Sequence, residues 1–321
     1  MVIGYGVRVL RFAAWTGLIA FVILVWVSAL PAVGFDPARP GGDASNYLAA
    51  GERLNAGHPL YALSPGDRPV PLAPPYWSVP LVAPPPIAVA WRPLALLGDA
   101  SMVLWATAGL VVTLLTVGWL LGRGGLIVAG LIALFAAPLA IQSFAGNANA
   151  FLFAALVLAW VWRERPPLVG VLIAIPIAVK LTPVLFVIWL AGAGRRRAVA
   201  MVVVALAAIG VVSVLGAGLQ NHLDWLASLP GTAPAPTSLA GLIGLPSWLI
   251  IAASIAVVIV VALRGDERLT FTAAAIAAAL ASPALYLGTL GIAAAAAAPW
   301  VGEGRSVVAS LRGRAVRAEP T

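Results

Sequence analysis

The sequence predicts an all-helical, polytopic membrane protein with about ten spans. Two observations carry that prediction: the composition, and the way arginines punctuate the apolar runs. Of 321 residues, 62% are AVILMFWYC and only 9% are charged. Mean hydropathy is +1.03. A soluble domain is roughly a quarter charged, so this chain lacks the polar residues to cover a globule. It has 0 Cys and 2 His, which excludes thiolate nucleophiles, disulfides, Cys-ligated metals and multi-His metal sites. Net charge is +8, but the arginines lie between apolar runs and form no single basic face. A nucleic-acid partner is therefore excluded, and membrane lipid is the expected surrounding.

Residues 12–33 are the first clear apolar run. The run is too long for a cleavable signal peptide, and Gly34-Phe35-Asp36 follows it where a small-residue cleavage box would stand. Further runs cover 100–121, 126–141, 149–162, 168–190, 199–219, 242–263 and 270–301. Arg8, Arg11, Arg123, Arg163, Arg165, Arg195, Arg196, Arg197, Arg264 and Arg268 flank them. The positive-inside rule puts all of these in the cytoplasm. One span over 168–190 would separate Arg165 from Arg195. Two short spans meeting at Lys180 keep them together, and Pro176 and Pro183 are placed to break the helix there. The run 270–301 exceeds one span and splits likewise at Ser282-Pro283. The expected layout is one transmembrane domain over 1–301 and a basic cytoplasmic tail over 302–321.

Outside lie a long first loop (34–98), a short turn around 142–149 and a second loop (220–241). The first loop is Pro-rich and holds Asp36, Asp43, Glu52 and Asp67. Within it, small and apolar residues at Ala44, Tyr47, Leu48, Gly51 and Leu54 make one helical stripe. Ser45, Asn46, Glu52 and Arg53 fall on the other face. Asp43 stands where an N-cap belongs, Gly57 where a left-handed C-terminal residue belongs, and Pro59 stops the helix. The expectation is an amphipathic surface helix over 44–56 lying on the membrane. Asp43 is then either only its cap or a general base at the membrane edge.

The stretch Asp43-Ala-Ser-Asn-Tyr47 through Gly57-His-Pro59-Leu60-Tyr61 resembles the opening signature of the GT-C glycosyltransferases, specifically glycosyltransferase family 87. Pro74-Pro75-Tyr76, Pro84-Pro85-Pro86 and Trp91-Arg92-Pro93-Leu94 resemble the proline segments that follow it. Gly146-Asn147-Ala-Asn149 resembles the family's Gly-Gln/Asn-x-Asn turn. Gly170 through Lys180-Leu-Thr-Pro183 resembles its Gly…Lys-x-x-Pro motif, and Ser282-Pro283-Ala-Leu-Tyr286 its Ser-Pro-x-x-Trp motif. The resemblance implies a transferase in the cytoplasmic membrane. It would move a sugar, often mannose, from a polyprenyl-phosphate donor to a hydroxyl acceptor outside, such as a cell-envelope glycolipid or glycan. The first-loop aspartate would be its base, with no metal or other cofactor. Family members often carry a histidine after the last motif, and Tyr286-Leu287-Gly288 has none.

Other residues keep two readings. Lys180, the only lysine, either snorkels to the interface or meets the donor phosphate. Asn147 and Asn149 either form a turn or offer amides to sugar and phosphate. Arg53, Arg68, His58 and Tyr61 complete the candidate donor-binding set. Arg53 and Arg68 lie outside against the positive-inside trend, and Arg suits bidentate phosphate binding. His222 and Asp224 are the candidates in the second outer loop. Trp77 and Trp91 are expected in the interfacial aromatic belt. The expected reaction is inverting transfer with Asp43 as base. Two other classes remain: a lipid or glycan transporter, and a noncatalytic membrane subunit.

Overall fold

A computed structural model of the chain describes residues 42–62, 81–229, 238–283 and 287–302. The first apolar run, the basic tail, Arg68 and Trp77 lie outside the described residues. Among those described, helices α1 (Gly42–Asn55), α2 (Pro85–Ala95), α3 (Ala100–Arg123), α4 (Leu126–Leu134), α5 (Ala136–Phe144) and α6 (Asn149–Val161) come first. Then follow α7 (Pro166–Val179), α8 (Leu185–Gly192), α9 (Arg196–Ala217), α10 (Leu219–Ser228), α11 (Leu239–Ile243), α12 (Ser247–Leu263) and α13 (Glu267–Leu280). A 3-10 helix, Leu287–Trp300, ends the described chain.

Two helices, α3 and α9, are long and apolar enough to cross a membrane. The α4–α5 pair makes a third if taken as one span bent by 49°. Val103, Leu104, Leu114 and Leu115 on α3, and Val203, Val204, Val211 and Leu215 on α9, are exposed. Such continuous apolar faces suit lipid, not water, and mark a membrane protein. The other apolar helices are shorter.

The chain turns back at Lys180, as the arginine distribution requires. Pro166 and Pro167 start α7 without wasting a donor, and Lys180 leaves it in an extended conformation. A short 3-10 turn, Thr182–Val184, then leads into α8. As a result Arg195 donates to the Arg163 carbonyl at 2.9 Å. Arg195 also pairs with Glu164 at 2.7 Å and Glu267 at 2.9 Å. The hydrogen bond from Arg195 holds the exposed Glu164 carboxyl below its ordinary range. Trp300 donates to Thr272 near the start of α13, and the Gly302 amide to the Arg123 carbonyl. Arg123, Arg163, Arg195 and Glu267 therefore share one end of the bundle.

The core between the ends is apolar and aromatic. Trp160, Trp189, Phe186 and Phe271 make edge-to-face contacts at 4.8–6.4 Å. The run Ile292 to Ala298 is buried throughout and packs into the same core. The run 270–301 breaks after Leu280, next to Ser282-Pro283, and its second half winds as a 3-10 helix. Small residues let that segment lie close to its neighbours.

Helices α7 and α9 pack tightly at Gly170. A Cβ there would sit 2.4 Å from Met201 Cβ and 2.8 Å from its backbone carbon. Gly170→Val is expected to destabilise the fold by about 1–3 kcal/mol through overpacking. Thermal melting in detergent measures this, and an unchanged melting temperature would contradict the close crossing.

Candidate active site

The first-loop helix docks on the turn between α5 and α6. Asp43 and Ala44 donate their backbone N–H groups to the Ala145 carbonyl at 3.0 and 3.3 Å. That carbonyl satisfies two of the donors a helix start leaves open. The helix begins at Gly42, one residue before the expected cap, so Asp43 lies in its first turn. Its carboxylate is engaged elsewhere: Asn147 Nδ2 donates to Asp43 Oδ2 at 2.7 Å. The capping role expected of Asp43 is corrected accordingly.

The turn itself needs glycine. Gly146 has φ +64°, and a Cβ there would meet Ala44 Cβ at 2.7 Å. Trp105 Nε1 donates to the Gly146 carbonyl at 2.9 Å. Asn147 Oδ1 accepts the Asn149 amide at 2.8 Å. The oxygen of Asn147 being engaged there, its NH2 faces Asp43. Below the turn, Tyr47, Trp91, Trp105 and Phe151 stack in sequence at 5.8, 5.1 and 4.5 Å. Trp91 is wholly buried in this stack, which corrects its expected place in an interfacial belt.

The helix buries more than the one stripe expected. Ala44, Tyr47, Leu48, Ala49, Ala50, Gly51, Arg53 and Leu54 are all buried. A Cβ on Gly51 would meet the Trp91 carbonyl at 2.8 Å, so α1 is clamped against α2 and does not lie free on a surface. Its C-terminus follows the expectation: Gly57 is left-handed at φ +76°, and His58 N–H reaches back to the Arg53 carbonyl at 2.8 Å.

Lys180 completes the centre. Its Nζ donates to Thr289 Oγ1 at 3.2 Å, and its charge acts on Asp43. Burial pushes the Asp43 carboxyl up from the ordinary range, and the Asn147 hydrogen bond and the Lys180 charge draw it back. Asn149, itself buried, donates Nδ2 to the Gly288 carbonyl at 3.2 Å. Asp43, Asn147, Asn149 and Lys180, four of the residues singled out in the sequence, are thus linked into one group. Asn46 Oδ1, one turn after Asp43, and Thr182 Oγ1, two residues after Lys180, have no hydrogen-bond partner among the described residues.

The remaining candidates stand apart. Arg53 is buried and donates to the Pro59 and Ala62 carbonyls, bracing the loop. Tyr61 donates to the Ala83 carbonyl at 2.8 Å. Burial and then the Asp224 charge raise the Tyr61 phenol. The Leu60 amide donates to Asn221 Oδ1 at 2.7 Å, so the two loops expected outside do lie together. His222 bridges Ser213 and the Gly218 carbonyl, each at 2.9 Å. Among the described residues, no three of His, Cys, Asp or Glu gather as a metal site.

The sequence reading missed Thr289, Gln142 and Trp105. Thr289 had a visible signal: it is the one hydroxyl residue in the run Leu287–Trp300.

A model of glycosyltransferase family 87 matches residues 82–311. The chain belongs to glycosyltransferase family 87. No curated protein and no solved structure matches it. Family membership makes the chain a glycosyltransferase, and its apolar helices make it one of the membrane. The matched stretch contains Asn147, Asn149, Lys180 and Thr289. Asp43 precedes it and joins the site through the Asn147 contact.

Proposed function

We propose that the chain is an inverting glycosyltransferase. It takes a sugar, mannose in the reading favoured here, from a polyprenyl-phosphate donor. The acceptor is a hydroxyl of a cell-envelope glycolipid or glycan on the outer side of the cytoplasmic membrane. The observation that carries this is the Asp43 carboxylate, bonded on one oxygen to the Asn147 amide, beside Lys180 and at the end of the bundle away from the arginine cluster.

Asn147 occupies Oδ2 and leaves Oδ1 for an acceptor hydroxyl. Asp43 takes the hydroxyl proton as that oxygen attacks the anomeric carbon. The bond from that carbon to the donor phosphate oxygen breaks, and the phosphate leaves with the electron pair. A single displacement inverts the anomeric centre. Lys180 faces the phosphate as its charge grows from one negative to two. The orphan oxygens of Asn46 and Thr182 are suited to sugar hydroxyls. Arg53 and Tyr61 shape the loop, His58 and Arg68 are assigned to the donor, and His222 and Asp224 to the acceptor. The arginine-rich end is the cytoplasmic one. The buried Ile292–Ala298 run weighs against a transporter, which would need a path through mid-membrane.

The test is to incubate the purified protein in lipid with polyprenyl-phosphate mannose and other polyprenyl-phosphate sugars, together with envelope glycolipids. Transfer with inverted anomeric configuration is expected. Retention of configuration, or no transfer from any lipid-phosphate donor, would overturn the reading.

A further inference from the structure

Residues 288–291 link both halves of the site. Asn149 holds the Gly288 carbonyl, and Thr289 receives the Lys180 ammonium. Gln142 backs the same stretch. A Cβ on Gly288 would lie 3.3 Å from Gln142 Cα, and one on Gly291 would lie 2.1 Å from Gln142 Oε1. Gln142 is fully buried, and its backbone carbonyl accepts the Asn147 amide at 2.8 Å. One residue thus touches both the turn that holds Asp43 and the segment that holds Lys180.

Thr289 is itself 1% exposed. Its β-branched side chain has little χ1 freedom, and its neighbour Gly288 is pinned by Asn149 and Gln142. The hydroxyl therefore cannot follow the lysine; the lysine is held to the hydroxyl. An ammonium has three donors. Among the described residues only Thr289 takes one, which leaves two for an anion. Four methylenes would otherwise let the charge wander.

We propose that Thr289 is a positioning residue that fixes the Lys180 ammonium over the donor-phosphate site. The role in donor binding rests on the function proposed above; the contact itself does not. Thr289→Val keeps the shape and removes the acceptor, while Thr289→Ser keeps the acceptor.

Lys180 is the chain's only lysine, so an amine-acylating reagent followed by peptide mass spectrometry reports on it directly. Without donor, Lys180 is expected to label several-fold faster in Thr289→Val than in the wild type. The ammonium there has lost the partner that favours its protonated form. Thr289→Ser should label at the wild-type rate. In the transfer assay, Thr289→Val should lower kcat/KM for the donor by about tenfold, mostly in kcat, because a displaced ammonium meets the departing phosphate less well. The acceptor KM should not move, a split that general loosening of the fold would not give. If the valine variant does not fold, Thr289→Ala carries the same expectations. Equal labelling in wild type and variant overturns the contact. Faster labelling with an unchanged kcat/KM for the donor overturns the positioning role. Labelling that follows Thr289 in a protein that transfers no sugar overturns the proposed function and the donor role, and leaves the contact standing.

Discussion

Asp43→Asn is expected to fold and insert normally yet transfer sugar roughly 10²–10⁴-fold more slowly, the usual size of a general-base contribution. The reason lies in what each contact needs. The helix start is satisfied by the Ala145 carbonyl, which does not depend on the Asp43 side chain. The Asn147 amide needs only an oxygen to donate to, and asparagine supplies one. A base must in addition hold a proton, which an amide does not do at neutral pH. Donor affinity should stay near wild type, because Asp43 meets the acceptor and not the phosphate. The pH profile gives a second check. The carboxyl must be ionised to act, so rate falls as pH drops through its pKa. Burial raises that pKa above the ordinary carboxylate range, so the acid limb should appear at correspondingly higher pH. Asn147→Leu removes a contact that lowers the pKa, and should move the limb further up. Transfer rate and melting temperature measured on one preparation decide the matter. Near-normal turnover in the asparagine variant would reduce Asp43 to a docking residue.

Much of this site was legible in the sequence, and what was not has physical causes. The reversal at Lys180 could be read because Pro176, Pro183 and the flanking arginines each constrain the chain locally. Gly57 could be read because a left-handed residue at a helix end favours glycine. The roles of Arg53 and Trp91 could not, since both depend on partners distant in sequence or on enclosure by other helices. A polar residue on one face of an amphipathic pattern is expected to meet water. Arg53 instead meets the carbonyls of Pro59 and Ala62, because the loop folds back over it. Trp91 reads as a belt residue by type, yet Tyr47 of α1 and Trp105 pack against it and it is wholly buried. The 3-10 winding of Leu287–Trp300 is the least legible feature. Its alanines suit an α-helix by propensity, and only the close approach to Gln142 at Gly288 and Gly291 exposes the role of its glycines.

Lys180→Ala should lower kcat/KM for the donor by roughly 10²–10³, the size of losing one donor aimed at a developing oxyanion. The effect should divide unevenly. A sugar phosphodiester carries one negative charge when it binds, so its affinity should weaken only about tenfold. The departing polyprenyl phosphate carries two, and the second appears as the glycosidic bond breaks. An ammonium held in place before that moment therefore acts more on the transition state than on the bound donor, and kcat should fall with the remainder. Lys180→Arg should rescue in part. It restores the charge, but the planar guanidinium is larger and meets the single hydroxyl of Thr289, 3.2 Å from Lys180 Nζ, in a different geometry. Single-turnover transfer with saturating donor separates the two effects, and direct binding of the donor checks the affinity. Donor binding and kcat both unchanged in the alanine variant would mean that Lys180 only reaches for the interface. The leaving phosphate would then have to be met from elsewhere on the loop, with His58 and Arg68 as the next residues to replace.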